Sequence, residues 1–424
     1  MRFTLRNIWR LTDRAIFKSK GTPYRLTLKR IGWLLFFYTI FPLHELINWT
    51  CFLIDDILFP GYRDVEIEEP VFIIGNPRSG TTFLHRLLAK DEDNFSYMRL
   101  WEMLLAPSIV QRKFWMAMST LDRRLGHPVH KIVAMWERVW HRENVMHRIA
   151  LNAPEEDELL LLHIWVTLMI WLYSGILEEA ERYTYFDSEV SNEEKEYIMG
   201  FYKKCLQRHI YTRGTQDKHY LSKNPAFTPK IDALYEFFPD AKIIYLVRNP
   251  LNSIPSYISL MDFTWRVMGD PQEEYASREY VLDMAKHWYE YPIDRLEEAP
   301  EESYAVVNFH DMVSNPRDIA TALYEHFELP LSEAYDETLI VETEKARNYT
   351  SQHNYSLDEL GLTREQILTE FEDVFELFGF DPQGPVDWAS ATADGHHAKD
   401  MSEKKHRKKK RRLRRSKLGL SVLG

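Results

Sequence analysis

Apolar positions along the chain fall into short unbroken runs separated by amphipathic stretches. PVFIIGN, residues 70–76, has no polar alternation, the pattern of a parallel strand covered on both faces. AKIIYLVRNP, 241–250, and SYAVVNFHDM, 303–312, repeat that pattern. TTFLHRLLAKD follows the first run with helical spacing, LYEFFPD precedes the second as a helix ending at Pro239, and RDIATALYEHFEL follows the third. Strands alternating with helices predict an α/β fold, one domain over residues 66–381 with a central parallel sheet flanked by helices.

Two longer apolar stretches need separate readings. LLLLHIWVTLMIWLYSGIL, 159–177, follows an acidic EEDE and sits mid-chain, so it reads as a buried helix walling an apolar pocket. The run from Ile31 to Phe59 is interrupted by Pro42, His44, Glu45 and Asn48, leaving about twelve clean residues where a membrane span wants about 20. An interfacial or core-packed helix pair is therefore expected, within a basic and amphipathic extension covering 1–65. No small-residue cleavage site follows, which argues against a signal peptide and leaves a signal anchor through 31–54 as the alternative. From about residue 382 periodicity is lost, and 382–424 read as a linker into a disordered basic tail.

Composition bounds the chemistry. With 424 residues, 45% of them hydrophobic, the chain can bury a large core. Two cysteines, Cys51 and Cys205, give neither a disulfide framework nor metal-ligand spacing, so a reducing, cytoplasmic compartment and no metal are expected. The net charge of −11 hides a tail, KKHRKKKRRLRRSK from Lys404, with eleven basic residues and no acid, so the rest of the chain stands at −22. Such a tail is a solvated segment or a contact for an anionic membrane surface. The acidic body argues against nucleic acid as main substrate.

Gly75 and Gly80 have the spacing of a phosphate-binding loop between strand and helix, but Thr81 and Thr82 stand where a nucleoside triphosphatase carries Lys and Ser/Thr. The cation is instead Arg78, and the N–H groups from Ser79 to Thr82 open a helix. That weakens a P-loop kinase reading and keeps a P-loop-like anion site.

NPRSGTTFLHRLL resembles the 5'-phosphosulfate loop of the sulfotransferases, P-[KR]-[ST]-G-T-[ST]. RNPLNSIPS is similar to their 3'-phosphate element, with Arg248 at a strand end and Ser256 eight residues on. The resemblance covers roughly residues 68–380 and implies 3'-phosphoadenosine 5'-phosphosulfate as donor, held by Arg78, Ser79, Gly80, Thr81, Thr82, Arg248 and Ser256. YLSKNPAFTPK resembles the family's K-[ST]-P-x-H segment, which implies that Lys223 faces the transferring group, although Asn224 and Ala226-Phe227 depart from the pattern. The glycine-rich nucleotide segment of the cytosolic phenol and steroid enzymes is absent, and Arg347, His353 and Tyr355 stand in that region.

Sulfuryl transfer needs positioning, fixed positive charge and a general base. In HRENVMHRIALNAPEEDELLL, Asn152, Pro154 and Glu155 read as a helix start, and Glu156 lies one residue deeper, where partial burial would raise its carboxyl toward a useful range. Resemblance to a P-x-E-[DE] element favours Glu156 as base with His147 nearby. The expectation is a sulfotransferase acting on a small-molecule, lipid-like or carbohydrate hydroxyl, peripheral at a membrane. A membrane-anchored carbohydrate enzyme, a kinase and a catalytically silent nucleotide-binding scaffold are the alternatives.

Overall fold

The computed structural model describes residues 2–127, 131, 135, 151–269, 271, 273–347 and 357–384. Five strands form one parallel sheet in the order β2-β3-β1-β4-β5. They are β1 (Val71–Gly75), β2 (Phe95–Ser96), β3 (His219–Lys223), β4 (Lys242–Val247) and β5 (Tyr304–Asn308). The three apolar runs are β1, β4 and β5. Along β1, Phe72 and Ile74 enter a larger core with Tyr245 and Val306, while Val71 and Ile73 enter a smaller one with Ile244, Leu246 and Val307. Both faces of the sheet are thus covered, which is why alternation is missing from the sequence.

The amino-terminal region departs from expectation. Instead of a helix pair, Leu28–Leu58 is one helix of 31 residues with Pro42 inside it. A proline costs one intrahelical hydrogen bond, and here the flanking turns continue through it. We call this helix α2, after α1 (Arg2–Thr12). Among the described residues, α2 is the one helix long and apolar enough to cross a membrane. Its sidedness is inverted: Arg30, Glu45, Asn48 and Asp55 are buried, whereas Leu35, Leu43, Leu46 and Ile57 are 59–76% exposed. Arg30 donates to Ser174 O at 2.9 Å, and Asp55 accepts from the N–H groups of Ile109 and Val110 at 2.8 and 3.0 Å and from Arg208 at 3.1 Å. The neighbouring helix Ile109–Arg124 exposes Phe114, Trp115, Met116 and Leu121.

The basic character of α1 is neutralised within the fold. Arg6 pairs with Glu194 at 2.6 Å and Arg10 with Glu179 at 3.0 Å, while Phe3 and Leu11 are buried.

The second long apolar stretch is buried, as expected, but is not one helix. A 3-10 segment, Asp157–Ile164, is followed by the helix Leu168–Ser174, with a bend of 83° between them. Trp165 takes a left-handed φ of 60° at the break, and Glu158 accepts from Leu168 N at 2.7 Å, giving the second segment its start. The helix start expected at Asn152 to Glu155 is not formed either. The Glu155 carboxylate pairs with Arg86 at 3.1 Å, and the 3-10 segment opens at Glu156.

Candidate active site

The site residues gather at the carboxyl ends of adjacent parallel strands, where open α/β sheets hold their ligands. β1 runs into Gly75, whose φ of 143° is matched by a tight approach: a Cβ there would lie 2.3 Å from Leu246 O. Thr228 locks the same residue, accepting from Gly75 N at 2.9 Å and donating to Gly75 O at 3.1 Å. The loop then turns through Arg78 in the left-handed region, φ 69°, and Gly80, φ 89°. A Cβ on Gly80 would meet the Phe309 ring at 2.5 Å, so only glycine fits there. Ser79 N folds back onto Asn76 O at 3.2 Å, so that donor is already used. The helix α3 (Thr81–Leu88) follows, opened by the N–H groups of Thr81 and Thr82, while Phe83 N donates to Gly80 O at 2.9 Å. The Ser79 hydroxyl is buried and finds no hydrogen-bond partner among the described residues. A buried orphan of that kind costs about 1–3 kcal/mol unless a ligand or water takes it up.

The two motifs interlock. Arg78 Nε donates to Ser256 Oγ at 2.9 Å, and Arg248 Nη1 donates to Arg78 O at 2.6 Å. Arg248 follows the last residue of β4 and lies over the Phe309 ring at 4.3 Å from its centroid. The Tyr289 hydroxyl donates to Arg248 O and bonds Ser253 Oγ, holding the strand end in place. Ser256 is buried in the helix Pro250–Met268.

On the other side of β1, Lys223 ends β3, and Asn224 N donates to Ile73 O at 2.9 Å. The Lys223 side chain is fully buried and its Nζ sits 2.8 Å from Glu156 Oε1, whose residue stays one-quarter exposed. Sequence reasoning named both residues but not their contact. Beneath them lies a hub it missed altogether: Asp157, fully buried, accepts from Tyr202 at 2.6 Å, Ser222 at 3.0 Å and Tyr220 at 3.2 Å. Burial pushes its carboxyl up to about 6 against the pull of those hydroxyls. His85 of α3 is held well below the ordinary imidazole range by burial and then by Lys223 and Arg86, which keeps it neutral. Burial, and then the Glu156 and Glu158 carboxylates, push the Tyr173 hydroxyl above its ordinary range.

His147, His353 and Tyr355 lie outside the described residues, and Arg347 is an exposed residue ending the helix Glu333–Arg347. The basic tail from Lys404 also lies outside them.

Comparison with known proteins places the chain among relatives. Over 368 residues the chain is 27% identical to omega-hydroxy-beta-dihydromenaquinone-9 sulfotransferase Stf3 of Mycobacterium bovis, and equally to that of Mycobacterium tuberculosis, covering 82% of this chain and 85% of theirs. Its fold is similar to that of sulfotransferase STF1 of Mycobacterium tuberculosis, with a TM-score of 0.66 at 20% identity over 87% of this chain and 92% of that one. Sulfotransferase STF9 of Mycobacterium avium gives 0.61 at 19% identity, covering 78% and 82%. Residues 70–333, which hold the glycine loop, Lys223 and Arg248, match the model of the sulfotransferase family, and the chain belongs to that family.

Proposed function

We propose that this sulfotransferase moves a sulfuryl group from 3'-phosphoadenosine 5'-phosphosulfate to the hydroxyl of a lipid-like alcohol at a membrane surface. One observation carries the donor: Arg78, Arg248 and Ser256 are joined by contacts of 2.6 and 2.9 Å, so the cations suited to a 5'- and a 3'-phosphate share one frame. The orphaned Ser79 hydroxyl and the glycine-only approach at Gly80 fit an anion over the loop. The nucleotide is held by Arg78, Ser79, Gly80, Thr81 and Thr82 at its 5' side and by Arg248 and Ser256 at its 3'-phosphate.

In the transfer, the bond from the acceptor oxygen to sulfur forms as the bond from sulfur to the 5'-phosphate oxygen breaks. Glu156 takes the acceptor's proton, with His147 as the residue expected beside it. Lys223, buried and 2.8 Å from that carboxylate, neutralises charge on the leaving oxygen, and Arg78 with the loop N–H groups adds to it. These residues supply that charge themselves, with no catalytic metal among them.

Two features favour a lipid acceptor. The Stf3 relatives are named for a hydroxylated dihydromenaquinone. In addition, the inverted face of α2 suits an interfacial helix, and its inward polar residues fasten it along the domain, which suits lying on a membrane better than crossing it.

Calorimetric titration with 3',5'-adenosine bisphosphate, the product nucleotide, and with magnesium ATP tests the donor. The expected result is metal-free binding of the bisphosphate that is lost in Arg248→Ala. Preference for ATP would return the kinase reading, and binding without turnover on long-chain alcohols or sugars would leave a scaffold. Transfer to a sugar alone would favour the carbohydrate enzyme.

A further inference from the structure

The residues that interrupt the apolar run of α2 meet a third residue far along the chain. Glu45 Oε1 lies 3.0 Å from His44 Nδ1 and 2.9 Å from His163 Nδ1, in the 3-10 segment that opens at Glu156. Potential ligand atoms of the three residues all fall within 4.8 Å of one another. The other ring nitrogens are already committed: His44 Nε2 to Leu104 O at 2.7 Å and His163 Nε2 to Met103 O at 2.8 Å.

Those main-chain oxygens only accept, so both Nε2 atoms carry hydrogen and, in neutral rings, both Nδ1 atoms present lone pairs. Both lone pairs then point at a carboxylate oxygen. Both contacts are satisfied either by a proton on each Nδ1, which sets two imidazolium charges around one carboxylate, or by one cation shared among the three groups. Asn48 Nδ2 adds longer hydrogen bonds from one side, at 3.2 Å to His163 Nδ1 and 3.3 Å to both His44 Nδ1 and Glu45 Oε1, and its Oδ1 accepts from Gln111 Nε2 at 2.7 Å.

An imidazole that donates one N–H to a main-chain carbonyl while turning its other nitrogen to a shared centre is the arrangement metal-ligating histidines adopt. Ligand atoms about 2.1 Å from a tetrahedral ion are about 3.4 Å apart, so the 3.0 and 2.9 Å spacings to Glu45 need open by only a few tenths of an ångström to seat one. The geometry points to a divalent-cation site of the zinc class, built from His44 Nδ1, His163 Nδ1 and the Glu45 carboxylate. Two imidazoles and a carboxylate suit zinc or cobalt better than magnesium or calcium, which prefer all-oxygen shells. Its place is structural. It staples α2, whose outer face is apolar, to the segment that positions Glu156 and Asp157. Cysteine spacing gave no hint of it because no cysteine takes part.

The full chain, stripped with a chelator and dialysed, is titrated with Co2+ while its visible absorption is followed, and its thermal unfolding is compared in Zn2+ and in EDTA. The expected result is about one Co2+ per chain with visible bands, absent in His44→Gln and Glu45→Gln, and a higher midpoint in Zn2+ than in EDTA. His44 is the most exposed of the three, so its variant is the one best able to fold. Metal bound only by other histidines or the tail would leave His44→Gln titrating like wild type and would overturn the proposal. Equal midpoints in Zn2+ and EDTA for the wild type would overturn it without any variant, leaving a hydrogen-bonded cluster alone.

Discussion

Arg78 reaches Ser256 across 178 residues of sequence, with Nε 2.9 Å from Oγ. Ser256→Ala removes the acceptor of a charged donor, a loss of about 1.5–3 kcal/mol, so bisphosphate affinity should fall about tenfold or more by calorimetry. Arg78→Ala combined with Ser256→Ala should cost less than the sum of the single changes, because they share one contact. An affinity within twofold of wild type for Ser256→Ala would contradict this joint.

Gly80→Ala forces a Cβ to within 2.5 Å of the Phe309 ring at a φ of 89°. The backbone conformation alone costs about 1–2 kcal/mol. A lower melting temperature and weakened nucleotide binding are expected. Phe309→Leu in the same chain should recover the steric part and leave the backbone part. A Gly80→Ala protein as stable as wild type would mean the loop moves freely.

Glu156→Gln keeps size and removes the proposed base, so kcat should fall by roughly 100-fold or more while bisphosphate affinity stays within a few-fold. Lys223→Ala should lower kcat as well and leave the Glu156 carboxylate without its partner at 2.8 Å. Equal kcat for Glu156→Gln and wild type would remove Glu156 from the mechanism.

Asp157 keeps its proton to about pH 6 in the folded chain, against about 4 in the unfolded one. Between these values the native state binds more protons than the unfolded state, so the Asp157 contribution to stability declines as pH rises through that window and is constant above it. Two units correspond to about 3 kcal/mol. Urea unfolding from pH 4 to 8 should show the gap between wild type and Asp157→Asn changing by that order, and a pH-independent gap would refute the shift.

Ile40→Asp with Ile47→Asp changes two exposed side chains on the outer face of α2. Flotation with neutral phosphatidylcholine vesicles should be strong for wild type and largely lost in this variant, with bisphosphate binding retained. Binding that requires anionic lipid and survives the double change would instead assign the contact to the basic tail.

Much of this arrangement was legible in the sequence for a definite reason. β1 and β4 lie inside the sheet and β5 at its edge, but all three send residues into the cores on both faces, so their apolar runs are unbroken, and a phosphate loop must sit at a strand end. β3 was harder to read because His219, Ser222 and Lys223 are polar yet belong to a strand, with Ser222 bound to Asp157 in the interior. Pro42 suggested two helices because proline disfavours continuation, and the buried ends of α2 outweigh that local penalty. Contacts such as Glu45 with His163, 118 residues apart, have no local signature at all.

The helix α2, about 46 Å long at 1.5 Å per residue, also bears on how the enzyme would be assayed. If it is seated along a leaflet, as proposed, it would confine the search for acceptor to two dimensions. The quantity governing saturation would then be the surface density of acceptor, its mole fraction among the lipids. Diluting the acceptor with inert lipid at constant bulk concentration would slow turnover, while adding buffer would not.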